Sequence, residues 1–220
     1  VLALDPGNAA AFNLRGVSHG ELDEHAKAAA DFSAAMALDP GDGGPVYNRG
    51  LTRARLKDWA GAAADFAAAV RLAPDDAAGY LQRGYARLEL GDPAAAAADF
   101  GEAGRLAPAD PRAQYALAVA HRQRRAFAEA VAAATRAVRL NPPFPAALAL
   151  RAGAKLATGD YAGAVADFAA ARAAEPGDPA TLNAMAWIRA TCPVDELRDG
   201  PTAVADATEA CERTGFAVAG

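Results

Sequence analysis

The sequence predicts an all-α chain, a solenoid of antiparallel helix pairs repeated at a fixed interval. Three observations carry this: 66 alanines among 220 residues, a proline that returns every 34 residues, and small and aromatic residues tied to the same interval. Alanine loses no side-chain entropy in a helix, so it favours helix over strand. Aromatics at 7% argue further against a β-sandwich or barrel. A net charge of −5 and a pI near 5.2 speak against nucleic acid as a partner, since phosphate binding needs a basic face. No stretch approaches the roughly 18 apolar residues of a membrane span. Cys192 and Cys211 are too few for a disulfide framework or a four-cysteine zinc site. No glycine-rich phosphate loop, serine–histidine–aspartate set or metal-ligand cluster is present. The expectation is a chain without catalysis, cofactor or metal.

Pro6, Pro40, Pro74, Pro108, Pro142 and Pro176 stand in one register, mostly within Leu-Xaa-Pro. A period of 20 to 50 residues signals a solenoid. With the proline at position 32, the units are 9–42, 43–76, 77–110, 111–144 and 145–178, followed by an altered unit at 179–220. Each unit divides into helices A and B. Helix A often opens on proline, as at Asp110-Pro111 and Asp178-Pro179, where a missing N–H costs nothing. The turns at Lys57-Asp58, Gly91-Asp92 and Gly159-Asp160 offer an aspartate to cap helix B. The position-32 proline closes helix B by pushing the residue before it out of the α region.

Small residues mark the crossing of the two helices. Position 8 is Gly16, Gly50, Gly84, Ala118, Ala152 and Ala186; positions 20 and 27 are alanine in all five regular units. Position 24 supplies a core anchor, Phe32, Phe66, Phe100 and Phe168. This pattern resembles the tetratricopeptide repeat (TPR), over nearly the whole chain. The resemblance implies a right-handed superhelix with helix A on the concave side, and protein or peptide partners.

Position 7 departs from the family's leucine. It is Arg15, Arg49, Arg83 and Arg151, and position 23 of the same units is Asp31, Asp65, Asp99 and Asp167. The fourth unit loses both, with Leu117 and Ala133. A recurring Arg–Asp bridge between helices A and B is expected, partly exposed and contributing about 0–1 kcal/mol each. His19 and His121 occupy position 11, elsewhere Arg53, Arg87, Lys155 and Arg189, and read as cations at the negative end of helix A. His25 takes the packing slot of Trp59, Phe127 and Tyr161. Cys192 and Cys211 fall about 15 Å apart in a hairpin, so both are expected as buried free thiols.

Residues 1–8 match positions 27–34, so the chain is expected to begin inside a truncated upstream unit. A cytoplasmic location is the expectation, with the compartment left open because the absence of a signal peptide here says nothing about export. In the last unit, Ala203-Val204-Ala205-Asp206 aligns with Ala164-Val165-Ala166-Asp167 at an offset of 39, placing five extra residues in the turn. The segment 186–200 looks like a variant repeat of bacterial TPR proteins, some of which carry serine/threonine kinase domains.

At 100° per residue, the A-helix face opposite positions 4, 8 and 11 holds positions 2, 6, 9 and 13, with 5 at its flank. These positions make the expected partner groove from Asn13, Val17, Tyr47, Asn48, Leu51 and Arg55, then Leu81, Gln82, Tyr85, Arg112, Tyr115 and Val119, then Asn183 and Trp187. The alternative for Val17, Leu51 and Val119 is packing against the next A helix. The carboxylate clamp of chaperone-binding TPR domains is matched only at Asn48, which disfavours a chaperone tail. The expected function is a non-catalytic interaction scaffold. Its rivals are a docking region of a larger enzyme and a self-assembling array, and the oligomeric state stays open. The unit at 111–144 is expected to be the softest, lacking the phenylalanine (Ala134), the ion pair and the cap (Ala126).

Overall fold

Each helix of the chain ends where its sequence removes a hydrogen-bond donor or twists the backbone. A computed structural model describes residues 7–215. These form two compact units that divide after Pro108. The first contains α1 (Ala9–Glu21), α2 (His25–Leu38), α3 (Gly43–Arg55), α4 (Trp59–Leu72), α5 (Ala77–Glu89) and α6 (Pro93–Leu106). The second contains α7 (Pro111–Gln123), α8 (Phe127–Leu140), α9 (Pro145–Ala157), α10 (Tyr161–Ala174), α11 (Pro179–Thr191) and α12 (Gly200–Thr214), with a 3-10 turn at Asp195–Leu197. Within each unit every helix packs on the next; the odd-numbered ones are the A helices. Among the described residues there is no strand. The reading of residues 1–8 as the end of an upstream helix lies, for 1–6, outside the described residues.

Asn8, Asp42, Asp76, Asp110 and Asp178 cap A helices by accepting a first-turn N–H. Phe144 takes this place before α9 and caps nothing. Each regular B helix ends on the residue before the repeating proline. Asp39, Ala73, Ala107, Asn141 and Glu175 all leave the α region, with φ between −125° and −142°. Gly200 opens α12 39 residues after Tyr161 opens α10, against a spacing of 34 between the earlier B helices.

The A–B turn requires a left-handed residue. Gly91 and Gly159 adopt it freely at φ 78° and 83°, whereas Asp23, Lys57 and Arg125 are forced into it near 60°. Asp58, Asp92 and Asp160 then cap the B helix, but Ala126 does not. A side chain in this region costs about 1–2 kcal/mol, and a missing cap about 1 kcal/mol. Arg125→Gly combined with Ala126→Asp is therefore expected to stabilise the α7–α8 hairpin by roughly 1–2 kcal/mol. Amide exchange across 111–144 checks this: slower exchange is expected, and unchanged protection would show that the turn does not limit opening.

Inside each pair, the position-24 ring lies on the position-8 residue. Phe32, Phe66, Phe100 and Phe168 are buried. A Cβ on Gly16, Gly50 or Gly84 would come within 2.7, 2.8 and 2.5 Å of the facing ring. In the fourth pair both partners are alanine, Ala118 and Ala134. Leu150 completes that buried cluster, and Tyr115, Leu117 and Val119 pack against it.

The Arg–Asp bridges form in all four units that carry both residues. Nε and Nη2 of the arginine fork onto the two carboxylate oxygens, at 2.7 and 2.6 Å for Arg15–Asp31 and 3.0 and 2.6 Å for Arg83–Asp99. Arg49–Asp65 and Arg151–Asp167 repeat this fork. The carboxylates are buried, which corrects the expectation of partly exposed pairs. Position 11 also has a further role beyond the helix dipole. Arg53, Arg87 and Lys155 each reach the same aspartate as a second cation, at 2.8, 2.7 and 2.9 Å. The hydrogen bonds from Arg15 hold the Asp31 carboxyl below its usual range, despite burial. Burial raises that of Asp167, but Arg151 and Lys155 together more than offset it.

Two variations show how the motif adapts. In the fourth unit the acid is gone, and His121 keeps the position-11 slot with its Nδ1 buried and unpartnered. Burial lowers its pKa below the usual imidazole value, against the pull of Glu129 and with help from Arg124. In the last unit Met185 replaces the arginine, yet Asp206 remains, held by Arg189 and by Arg172 of the preceding B helix. Both cysteines are free thiols; Cys192 is buried, but Cys211 only partly so.

Candidate interaction surface

The derived A-helix columns do not share one environment. In the first compact unit, Asn48 of α3 donates from Nδ2 to Asn13 Oδ1 of α1 at 3.1 Å, joining two columns across neighbouring A helices. Val17 is exposed, as is Arg55. Tyr47 sets its ring edge-on to Phe66 at 5.6 Å, and Tyr85 does the same to Phe100 at 5.1 Å. Each tyrosine therefore touches a core ring, and Tyr85 keeps 38% of its surface open. Leu51 packs on the cluster of Ala62, Phe66 and Ala86. Gln82 is half-buried, and Leu81 before it is buried at 6% exposure, which makes Leu81 a core residue.

In the second compact unit, Arg112 forks back onto its own helix cap, Asp110, at 2.8–3.1 Å. Its hydrogen bonds hold the Asp110 carboxyl below the usual range. Tyr115 leans on Phe144 with ring centroids 5.1 Å apart. Val119 is half-buried against Leu150 and the alanines of the fourth pair. Asn183 is exposed, and Trp187 is 59% exposed.

A cleft of about 330 Å³ opens over the A helices of this unit. Tyr115 of α7 forms one wall, Leu150 and Phe168 the floor, and Ala146, Ala149 and Ala180 the sides. Arg122 and Thr181 complete it. Of the candidate residues, only Tyr115 lines this space. Sequence reasoning passed over the alanines because they carry no recognition chemistry themselves. Their signal was nonetheless present: Ala146, Ala149, Leu150 and Ala180 fall on positions 2, 5, 6 and 2 of the derived face. Alanine at these places leaves room between bulkier neighbours.

A serial helix pair with a proline-closed B helix and a partly open A face defines a helical-repeat scaffold. The tetratricopeptide repeat family model matches residues 81–145 and 115–179. No curated protein matches the sequence. Among solved structures, the chain is similar to YrrB, a TPR protein with an unusual peptide-binding site, at 16% identity and TM-score 0.75, covering 83% of this chain and 94% of that one. It is similar to MamA of Desulfovibrio magneticus RS-1 at 20% identity and TM-score 0.72, covering 76% and 95%. PilF of Pseudomonas aeruginosa gives 20% identity and TM-score 0.71, covering 84% and 85%. At these identities the likeness concerns the fold. Residues 81–179 therefore carry tetratricopeptide repeats, and the chain has the fold of the TPR solenoids. That fold supports, in general, a scaffold for protein interaction. Among the described residues no helix is long and apolar enough to cross a membrane.

Proposed function

We propose that this protein is a non-catalytic scaffold that holds an extended partner segment against its A-helix face. The observation that carries the reading is the cleft of the second unit, a concave space with an aromatic wall, an apolar floor and a cation at its edge. Such a combination suits an extended peptide, which presents alternate side chains to pockets. Asn13, Asn48, Tyr85, Asn183 and Trp187 are proposed as further contacts, on their own units. YrrB offers a precedent for peptide binding within this fold.

The test is a random peptide library selected on the full chain, with the recovered peptides measured against three variants. Ala146→Trp fills the cleft, Trp187→Ala removes the most open aromatic of the face, and Ala98→Arg marks the exposed side of α6. Binding is expected to fall by about 1–3 kcal/mol in the first two and to persist in the third. Binding that survives Ala146→Trp and Trp187→Ala but is lost in Ala98→Arg places the interface on the B helices and overturns the proposal.

A further inference from the structure

The charge of this chain is unevenly spread. Six arginines and one acid, Glu129, lie between residues 111 and 144, in a protein of net charge −5. Elsewhere arginines are mostly consumed by the fold: Arg49, Arg53, Arg83, Arg87, Arg151 and Arg172 all end on buried aspartates. Around the end of α7 the pattern reverses. Among the described residues, no carboxylate lies within salt-bridge distance of Arg122, Arg124 or Arg125. The fourth unit has replaced the acid that would face this end, since position 23 is Ala133. Arg122 is exposed and lines the cleft described above, next to Tyr115 on its own helix and Leu150 across from it.

Resting on the groove reading, we infer that this cleft takes an acidic segment carrying one bulky apolar side chain. The apolar side chain enters between Tyr115, Leu150 and Phe168, and a neighbouring carboxylate meets Arg122, with Arg124 and Arg125 further along the turn. A guanidinium presents two parallel N–H donors that match a carboxylate. Here the fork is free to do so, because no internal acid competes. A basic segment entering the same cleft would bring like charges together, which costs affinity. The cleft volume of about 330 Å³ suits one large side chain with its adjoining backbone. The flanking arginines add long-range attraction that weakens with salt.

The experiment uses the full chain and three fluorescein-labelled peptides. The first has aspartates around a central leucine, the second has lysines in place of the aspartates, and the third keeps the aspartates but has alanine for leucine. Fluorescence anisotropy is expected to show the aspartate–leucine peptide binding roughly tenfold or more tighter than either control. Arg122→Glu should weaken it by at least roughly tenfold. Raising salt from about 50 to about 300 mM should weaken it severalfold. No saturable binding below about 1 mM overturns the inference. So does equal binding of the lysine peptide, or indifference to Arg122→Glu. A single-stranded oligonucleotide that displaces the peptide as well as unlabelled peptide does would make the arginines a general polyanion surface, and also overturns it.

The Ala146→Trp variant separates this inference from the reading beneath it. Library-selected peptides that need the cleft but lack acids leave the groove standing and overturn only the acidic partner. Acidic peptides that bind Ala146→Trp unchanged act outside the cleft and overturn the inference, while the groove reading stands or falls with the library-selected peptides.

Discussion

Phe100→Ala is expected to lower the stability of the α5–α6 pair by about 3–5 kcal/mol. Phe100 is fully buried, and its ring packs on Gly84 and under the edge of Tyr85. The helices cannot close the space by themselves, because their ends are held by Asp76, Asp92 and the fork of Arg83 on Asp99. The loss therefore includes both the transfer of the ring to water and the cavity left behind. Gly84→Ala alone should also destabilise, by about 1–3 kcal/mol, since its Cβ would meet Phe100 Cε1 at 2.5 Å. In the Phe100→Ala background the same change should reverse sign and stabilise by about 1 kcal/mol, as the clash is gone and alanine is the better helix former. The fourth unit already holds that combination in Ala118 and Ala134. Urea titrations and amide exchange over α5 and α6 check the cycle. A destabilising Gly84→Ala in both backgrounds would refute the ring-on-glycine account.

The second expected result concerns the buried carboxylates. Arg83→Leu should cost about 3 kcal/mol, because Asp99 is 3% exposed and would keep only Arg87. Adding Asp99→Ala should recover most of it, leaving a net cost of about 1 kcal/mol. Arg87 tolerates the loss because its side chain is 31% exposed and can turn its head to water. The chain carries its own precedent, since Leu117 and Ala133 occupy these two places in the fourth unit. The measurement is a double-mutant cycle by urea unfolding at neutral pH. Additive losses would mean that the two side chains are not coupled, and the bridge would then be a surface preference of each helix.

Much of this was legible in the sequence for a common reason. Helix limits depend on local chemistry: a proline displaces the residue before it, and an aspartate caps the amides that follow. The 34-residue register repeats those local rules, so one unit reads for all. Arg83 and Asp99 could be paired on paper because the small residues at positions 8 and 20 set the crossing, and the crossing sets which side chains lie opposite. Phe100 and its equivalents were legible as core for the same reason.

The part that resisted was decided by neighbours outside the repeat pattern. Leu81 and Tyr85 both fall on the derived A-helix face, yet Leu81 is buried while Tyr85 remains partly open, because adjoining helices cover one and not the other. Arg112 has the chemistry of a recognition residue, but its own cap Asp110 engages it. The second cation on each buried aspartate was hidden behind a sufficient local explanation, the helix dipole. Asp206 accepts a hydrogen bond from Arg172, 34 residues away on another helix. The helices, their ends and the pairs within each unit follow from backbone chemistry and fixed spacing, which the residues carry locally. Which A-helix positions stay open depends on packing between helices, because a cleft is the volume left unfilled by side chains of several helices, and Ala146, Ala149 and Ala180 acquire meaning only beside Tyr115, Leu150 and Phe168.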